Sequence, residues 1–355
     1  MTPINTQDYS IYFNKDAYKA LNENLNTANY SKIFFIVDEN TNADCIPFVL
    51  ANIESEISYD ILEIESGEEN KNLDICLGLW EALSEHGADR KSLIINIGGG
   101  VITDLGGFVA STFKRGIRFI NIPTSLLAMV DASIGGKTGI DLGHLKNQIG
   151  VINTAEMVLI DTAFLSTLPE NQMRSGLAEM LKHGLISNKT YWNKFLDLSK
   201  LTTEDLDVLI YESILIKKNI VAQDPYEENI RKTLNYGHTL GHAIESYFLS
   251  NEDKKPLLHG EAIAVGMILA SYISTKLTGL NETTNQEIKS TILDTFNRVT
   301  FKEEDYNPII ELLIYDKKNE HGNIHFVLLE DIGKPVLDCK VSNELIIEAF
   351  KFYAS

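Results

Sequence analysis

Cations are scarce in this 355-residue chain: 31 lysines and arginines face 50 aspartates and glutamates, for a formal net charge of −19. Proteins that bind nucleic acid or an anionic membrane neutralise phosphates with excess lysine and arginine, so neither partner is expected here. A phosphorylated small molecule would have to be met by locally clustered cations. Cysteine is scarce too. Cys45, Cys76 and Cys339 are far apart and form no Cys-x-x-Cys pair, a pattern that reads as reduced and cytosolic. The longest apolar run, residues 262–273, is too short to span a bilayer. The first residues lack the basic and apolar regions of a secretory signal. Neither an internal repeat nor a low-complexity segment is present. The expectation is a soluble cytoplasmic protein of two domains or one large unit, able to bury a sizeable core.

The patterning divides the chain in two. Up to about residue 165, short β-rich runs at 32–37, 59–64, 92–97, 118–122 and 157–160 alternate with helical stretches such as 72–86. That alternation predicts a largely parallel sheet covered by helices. From Pro169 onward the pattern is mainly helical, with candidate helices at 170–186, 203–222, 233–247, 260–278 and 284–296. A hairpin-like piece at 323–329 interrupts them, and residues 251–255 read as an exposed loop. The expected fold is therefore α/β, with a domain over 1–165 followed by a mainly helical domain over 166–355.

The first half carries the marks of a dinucleotide site. Gly98-Gly99-Gly100-Val101-Ile102-Thr103-Asp104 follows the run at 92–97 and opens a helix-like segment reaching about Phe113. Glycines let the backbone approach a pyrophosphate, and a helix amino end supplies N–H groups and the positive dipole end. Asp38 closes the first strand, where a carboxylate can accept from a ribose and repel a 2′-phosphate, which favours NAD over NADP. A strand-end cap accounts for Asp38 equally well. Thr124-Ser125, the segment 131–141 and Lys146-Asn147 add hydroxyls, carboxylates and amines suited to a polyanionic ligand.

The second half carries a different constellation. His238 and His242 stand four apart on one helix face, His259 follows, and Glu179 lies in an earlier helical segment. One carboxylate and two imidazoles make a catalytic zinc set with positions left open for substrate oxygens. Spacing does not decide which two of the three histidines bind.

Taken in order, these segments resemble a known family. Gly99-Gly100-Val101-x-x-Asp104, Arg115-Gly116, Pro123-Thr124, Met129-Val130-Asp131-x-Ser133-x-Gly135-Gly136-Lys137-Thr138-Gly139 and Lys146-Asn147 come first. Glu179-x-x-Lys182, Asn235-x-Gly237-His238-Thr239-x-Gly241-His242-Ala243-x-Glu245 and His259-Gly260-Glu261 follow. Together they are similar to the 3-dehydroquinate synthases, sugar phosphate cyclases of the shikimate pathway, over essentially the whole chain.

The resemblance implies a Rossmann-like NAD-binding domain and a helical metal and substrate domain. It implies that Asp38, Asn40, Glu68, Lys71, Gly99 and Gly100 line the NAD site with Asp104, Thr124 and Ser125. Lys137, Lys146, Phe164 and Thr167 would complete its border. Glu179, His238 and His259 would hold Zn2+ or Co2+, leaving His242 to the substrate. Asp131, Lys182, Lys217, Glu227, Arg231 and Asn235 would surround the sugar, with Lys217 and Arg231 suited to its carboxylate. Asn147 and one of Lys317 and Lys318 would meet the phosphate. Arg115 resembles the arginine that such enzymes lend across a homodimer interface.

The family converts 3-deoxy-D-arabino-heptulosonate 7-phosphate to 3-dehydroquinate and phosphate, using and regenerating NAD in each turnover. Four departures from its pattern stand out. Ser125 replaces a second threonine, Asn229 replaces a glycine at a turn that positive φ would suit, and Leu145 replaces a glycine before Lys146. The segment between His242 and His259 is several residues longer than usual, placed most simply in the 251–255 loop.

Overall fold

A computed structural model describes residues 1–143, 145–197, 202–313 and 324–355. The chain forms two compact units, Met1–Met173 and Arg174–Ser355.

The first unit is built on a seven-stranded sheet of order β1-β2-β9-β6-β5-β3-β4. Its strands are β1 (Ile4–Asn5), β2 (Ser10–Phe13), β3 (Ile33–Asp38), β4 (Tyr59–Ile64), β5 (Leu93–Gly98), β6 (Arg118–Pro123) and β9 (Met157–Ile160). A separate hairpin pairs β7 (Lys137–Leu142) with β8 (Leu145–Ile152). All neighbours in the large sheet are parallel except β1 and β2. Every residue of β5 and β9 is buried, as are five of the six in β3. Strands covered on both faces need apolar side chains on both, which is why they read as unbroken runs rather than as alternation. The helices α1 (Lys15–Thr27), α2 (Glu39–Asp44), α3 (Ile46–Ala51), α4 (Leu73–Glu85) and α5 (Gly100–Thr112) supply the cover. On one face Phe34, Ile36, Ile94 and Phe119 pack against Leu79 and Leu83 of α4 and Leu105 and Val109 of α5.

The strand order places the ligand end. From β3 the chain moves outward to β4, then returns to the other side of β3 as β5. Open parallel sheets bind ligands at such a switch, beyond the strands' carboxyl ends. Asp38 ends β3 and Gly98 ends β5, so both stand at that crevice.

The second unit is mainly helical, beginning within α6 (Glu170–Ser187) and continuing with α7 (Lys189–Trp192), α8 (Thr203–Gln223) and α9 (His238–Ser250). Then come α10 (His259–Leu277), α11 (Glu282–Thr295), α12 (Glu303–Leu312) and α13 (Asn343–Ala354). The late hairpin is β10 (His325–Asp331) paired with β11 (Lys334–Lys340). No helix among the described residues is long and apolar enough to cross a membrane.

Two expectations need correction. The helix anticipated over 233–247 is two elements, a 3₁₀ segment Ile230–Asn235 and α9, which starts only at His238. Gly237 separates them with a left-handed φ of 78°, where an added Cβ would stand 2.7 Å from Met267 Cγ. Asn229 was expected to occupy a positive-φ turn position but has φ −136°. The left-handed residue of that turn is Glu227, at φ 63°.

Candidate active site

The nucleotide side of the first unit begins where β5 runs into α5. Gly98 is demanded by packing, since a Cβ there would sit 2.5 Å from Ile102 Cγ1. Gly106 and Gly107 let α5 press on Asn96 and Thr138 in the same way. Gly99 and Gly100 differ: an added Cβ would meet nothing closer than 3.3 Å and 3.5 Å, respectively. Packing within the unit does not require glycine at Gly100, and at Gly99 it would ask the Ser125 hydroxyl to give by a few tenths of an ångström. Their bareness leaves the α5 amino end open to a ligand. Thr124 is buried beside this turn and its N–H donates to the Gly98 carbonyl at 3.0 Å. The Ser125 hydroxyl accepts from the Ala128 N–H at 3.3 Å.

Asp38 caps α2. Its Oδ1 accepts from the Thr41 N–H at 2.7 Å and from the Thr41 hydroxyl at 3.0 Å. Asn40 is exposed on the same short helix. Lys71 is buried, with Nζ 2.7 Å from both Asp104 Oδ2 and Asn147 Oδ1. Burial alone would pull the Lys71 ammonium down, but Asp104, with Glu68 and Asp141, outweighs it and raises the pKa above the usual lysine range. Glu68 also pairs with Lys146 at 3.3 Å. Glu68, Lys71, Asp104, Lys146 and Asn147 therefore form one cluster. Asp131 lies in a π-helical turn, Ala128–Ala132, a distortion frequent at functional sites. Lys137 is exposed at the start of β7. The Phe164 ring is buried edge-on to Phe48, with centroids 5.7 Å apart, and its carbonyl accepts from the exposed Thr167 hydroxyl at 3.0 Å. Arg115 is exposed in a run of positive φ, with Lys114 at 48°, Arg115 at 70° and Gly116 at 105°.

In the second unit three helices converge. Glu179 and Lys182 of α6 are fully buried one turn apart, and Lys182 Nζ donates to Glu179 Oε2. The other oxygen, Oε1, is buried without a hydrogen bond. It faces His238 Nε2 at 3.3 Å and His259 Nε2 at 3.6 Å. Each imidazole is oriented from behind: His238 Nδ1 lies 3.2 Å from the Tyr236 carbonyl, and His259 Nδ1 lies 3.2 Å from Glu245 Oε2. Held by Nδ1 and offering Nε2 is how metal-binding histidines are presented. Burial raises the Glu179 carboxyl, but Lys182 and His238 reverse this and hold it well below its ordinary range. Burial, with Lys182, lowers His238 and favours the neutral form a cation needs. An ionised buried carboxylate oxygen beside two presented Nε2 atoms fits a divalent metal. His242 is close as well: its ring centroid lies 5.2 Å from that of His238 and 5.6 Å from that of His259.

The glycines beside these histidines make the convergence possible. A Cβ on Gly260 would collide with the Ser175 backbone of α6, and one on Gly241 would stand 2.6 Å from Ile263 Cδ1 of α10. The Gly260 N–H instead donates to Ser175 Oγ at 2.9 Å. Only bare backbone lets α6, α9 and α10 approach closely enough to bring Glu179, His238 and His259 together.

A further set of the sequence-predicted residues lies on α8 and in the turn that follows it. Lys217 is buried on that helix. Asp224 accepts from the N–H groups of Glu228 at 3.0 Å, Asn229 at 2.7 Å and Arg231 at 3.0 Å, which fixes the following turn. Arg231 is buried and its Nη1 donates to the Pro225 carbonyl at 2.5 Å. Asn235 Nδ2 donates to Glu227 Oε1 at 2.8 Å. Lys317 and Lys318 lie outside the described residues. The sequence reading gave no role to Asp224 or Glu245. An aspartate at a helix end and a glutamate seven positions after His238 on one helix face were the available signals.

Two family models match the chain, 3-dehydroquinate synthase N-terminal over residues 61–175 and 3-dehydroquinate synthase C-terminal over residues 176–319. A 3-dehydroquinate synthase of Parabacteroides distasonis is 43% identical over 341 residues, covering 96% of each chain. The chain belongs to the 3-dehydroquinate synthase family. Among solved structures, a 2-deoxy-scyllo-inosose synthase complexed with carbaglucose-6-phosphate, NAD+ and Co2+ has a TM-score of 0.86 at 26% identity, covering 99% of both chains. A 2-epi-5-epi-valiolone synthase of Streptomyces hygroscopicus with NAD+ and Zn2+ bound shares the fold at a TM-score of 0.83 and 22% identity. It covers 100% of this chain and 99% of its own.

Proposed function

We propose that this chain converts 3-deoxy-D-arabino-heptulosonate 7-phosphate into 3-dehydroquinate and inorganic phosphate, the second step of the shikimate pathway. The observation that carries the reading is the bare Glu179 Oε1 facing two oriented imidazole Nε2 atoms, in a chain of this family. When bound, NAD supplies a hydride acceptor that is restored within the turnover, and a divalent zinc or cobalt ion polarises the substrate hydroxyls.

Glu179, His238 and His259 hold the metal, and His242 faces the sugar. Lys217 and Arg231 receive the substrate carboxylate as a charge pair. Glu227 and Asn235, already bonded to each other, orient hydroxyls, with Asp131 and Lys182 completing the surround. Asn147, Arg115 and one of Lys317 and Lys318 bind the phosphate. Asp38, Asn40, Glu68, Lys71, Gly99, Gly100, Asp104, Thr124 and Ser125 line the NAD site, bordered by Lys137, Lys146, Phe164 and Thr167. Catalysis rests largely on holding a reactive substrate in the right geometry, so many binding groups and few dedicated bases are needed.

Lys217, Arg231, Asn235 and His242 are all present in this chain, a set suited to a substrate that carries a carboxylate as well as a phosphate. The chain acts as a cytoplasmic homodimer, supported by three unpaired thiols and by Arg115 held outward in its left-handed turn. The test is incubation with the heptulosonate phosphate and catalytic NAD, following phosphate and NADH with and without chelator. Stoichiometric, chelator-sensitive phosphate without accumulating NADH is expected. Accumulating NADH would indicate a dehydrogenase instead. Sedimentation of Arg115→Ala beside its activity tests the shared site: a dimer with weakened phosphate binding is expected.

A further inference from the structure

The hairpin β7–β8 is irregular at one place. Ile140 pairs with Ile149 and Leu142 with Leu145, so Asp141 alone stands opposite the three residues 146–148. A bulge of this kind re-aims a side chain, and bulges are frequent beside active sites. Asn147 lies in the middle of it at φ 50°, a left-handed conformation that asparagine adopts more readily than other L-residues, so the residue type suits the turn that its partners then fix.

Asp141 ties the bulge down from both sides. Its Oδ1 accepts the backbone N–H of Asn147 at 2.5 Å, and its own N–H donates to the Lys71 carbonyl at 2.8 Å. Lys71 Nζ in turn donates to Asn147 Oδ1 at 2.7 Å. An amide oxygen held by an ammonium fixes which end of the amide is the donor, and turns Nδ2 away from Lys71. A donor presented by a preset backbone is what a phosphate oxygen requires.

We propose that Asp141 is a positioning residue, holding Asn147 in its left-handed turn so that the Asn147 amide is preset for the substrate phosphate. This rests on the assignment of Asn147 as a phosphate contact. The effect of Asp141 passes through its hydrogen bond to the Asn147 N–H. A residue that only stabilised the hairpin would lower stability without singling out phosphate.

The test uses the full chain with NAD and Zn2+ supplied, and reads both turnover of the heptulosonate phosphate and calorimetric binding of inorganic phosphate. Asp141→Ala is expected to raise KM and weaken phosphate binding by about tenfold, the scale seen when an orienting partner is removed. Its kcat stays within about threefold, because the contact serves ground state and transition state alike. Asp141→Asn, which keeps an acceptor oxygen, recovers most of the loss. In an Asn147→Ala background Asp141→Ala adds less than about twofold, since both act on one contact. If the alanine variant does not fold, Asp141→Ser, whose hydroxyl is too short to reach the Asn147 N–H, replaces it. Additive losses in the double variant, unchanged phosphate binding in Asp141→Ala, or unchanged phosphate binding in Asn147→Ala would each overturn the inference. A wild-type chain that binds phosphate through Asp141 and Asn147 yet releases none from the heptulosonate would instead sink the functional reading.

Discussion

Glu179 Oε1 and His238 Nε2 stand 3.3 Å apart, and the oxygen accepts no hydrogen bond although it is wholly buried. An ionised oxygen in that position is costly unless a cation is its partner. With His259 Nε2 at 3.6 Å, the three side chains form a cluster that lies wholly within the second unit.

His259→Ala should therefore abolish metal retention and turnover while leaving NAD binding intact. The proposed nucleotide residues lie in the first unit, and removing one imidazole on α10 changes none of them. Metal content after dialysis and an NAD titration by protein fluorescence check this together. Loss of NAD binding alongside the metal would show that the division of labour is wrong.

Gly260→Ala tests the claim that bare backbone assembles the ligands. Its Cβ would meet the Ser175 backbone, which cannot move aside as a flexible side chain could. Overpacking of this kind costs about 1–3 kcal/mol, and here it also displaces the adjacent His259. Denaturant unfolding should show the loss of stability, with metal affinity falling in the same protein. A variant of unchanged stability and metal affinity would leave Gly260 without the packing role argued for it.

How much of this was legible in sequence depended on where the physics is local. Strands β3, β5, β6 and β9 stood out because burial on both faces leaves mainly apolar runs, broken only by Asn96 in β5 and by Arg118 and Asn121 in β6 among the residues before each strand's end. The hairpin β7–β8 did not, because β8 is mostly exposed and its residues follow no alternation. Apolar spacing ran straight through Leu234 and Leu240 and merged two elements that Gly237 separates by its backbone conformation. The histidines could be grouped by spacing, but family resemblance, not spacing, chose between them. The orienting roles of Glu245, Asp224 and Asp141 arise from contacts that appear only after folding.

Asn229→Gly separates family habit from the needs of this backbone. The family resemblance implies glycine there, but Asn229 sits at φ −136°, while the left-handed position belongs to Glu227. Glycine would replace no left-handed residue and would add freedom to the unfolded chain, so stability should fall by about 0.4–1 kcal/mol. Thermal unfolding of the two proteins decides it. A stabilised variant would mean that the turn is strained at 229 after all.

Asp305 anchors the segment that precedes His259 and is a group whose native-state contribution depends on acid. The exposed loop over 251–255 is tethered: Lys254 Nζ donates to Asp305 Oδ2 at 2.6 Å. Tyr247 donates its hydroxyl proton to Asp305 Oδ1 at 2.7 Å, and the Lys302 N–H donates to Oδ2 at 2.8 Å. Burial pushes the Asp305 carboxyl up, but Lys254, the Lys302 N–H and Tyr247 outweigh it, and its pKa lies below the ordinary value. A carboxyl with a depressed folded pKa stabilises the native state above its unfolded pKa of about 3.9. That contribution is lost as pH falls through the unfolded value toward the folded one. Asp305→Asn should accordingly cost about 1–3 kcal/mol at neutral pH, the worth of hydrogen bonds to a charged group. The difference from wild type should then shrink as the pH falls below about 4. Urea midpoints across that range measure it, and a gap that stayed constant with pH would mean that Asp305 does not carry the acid sensitivity. Metal retention at neutral pH should weaken in the same variant, because the released loop leads directly into His259 at the start of α10.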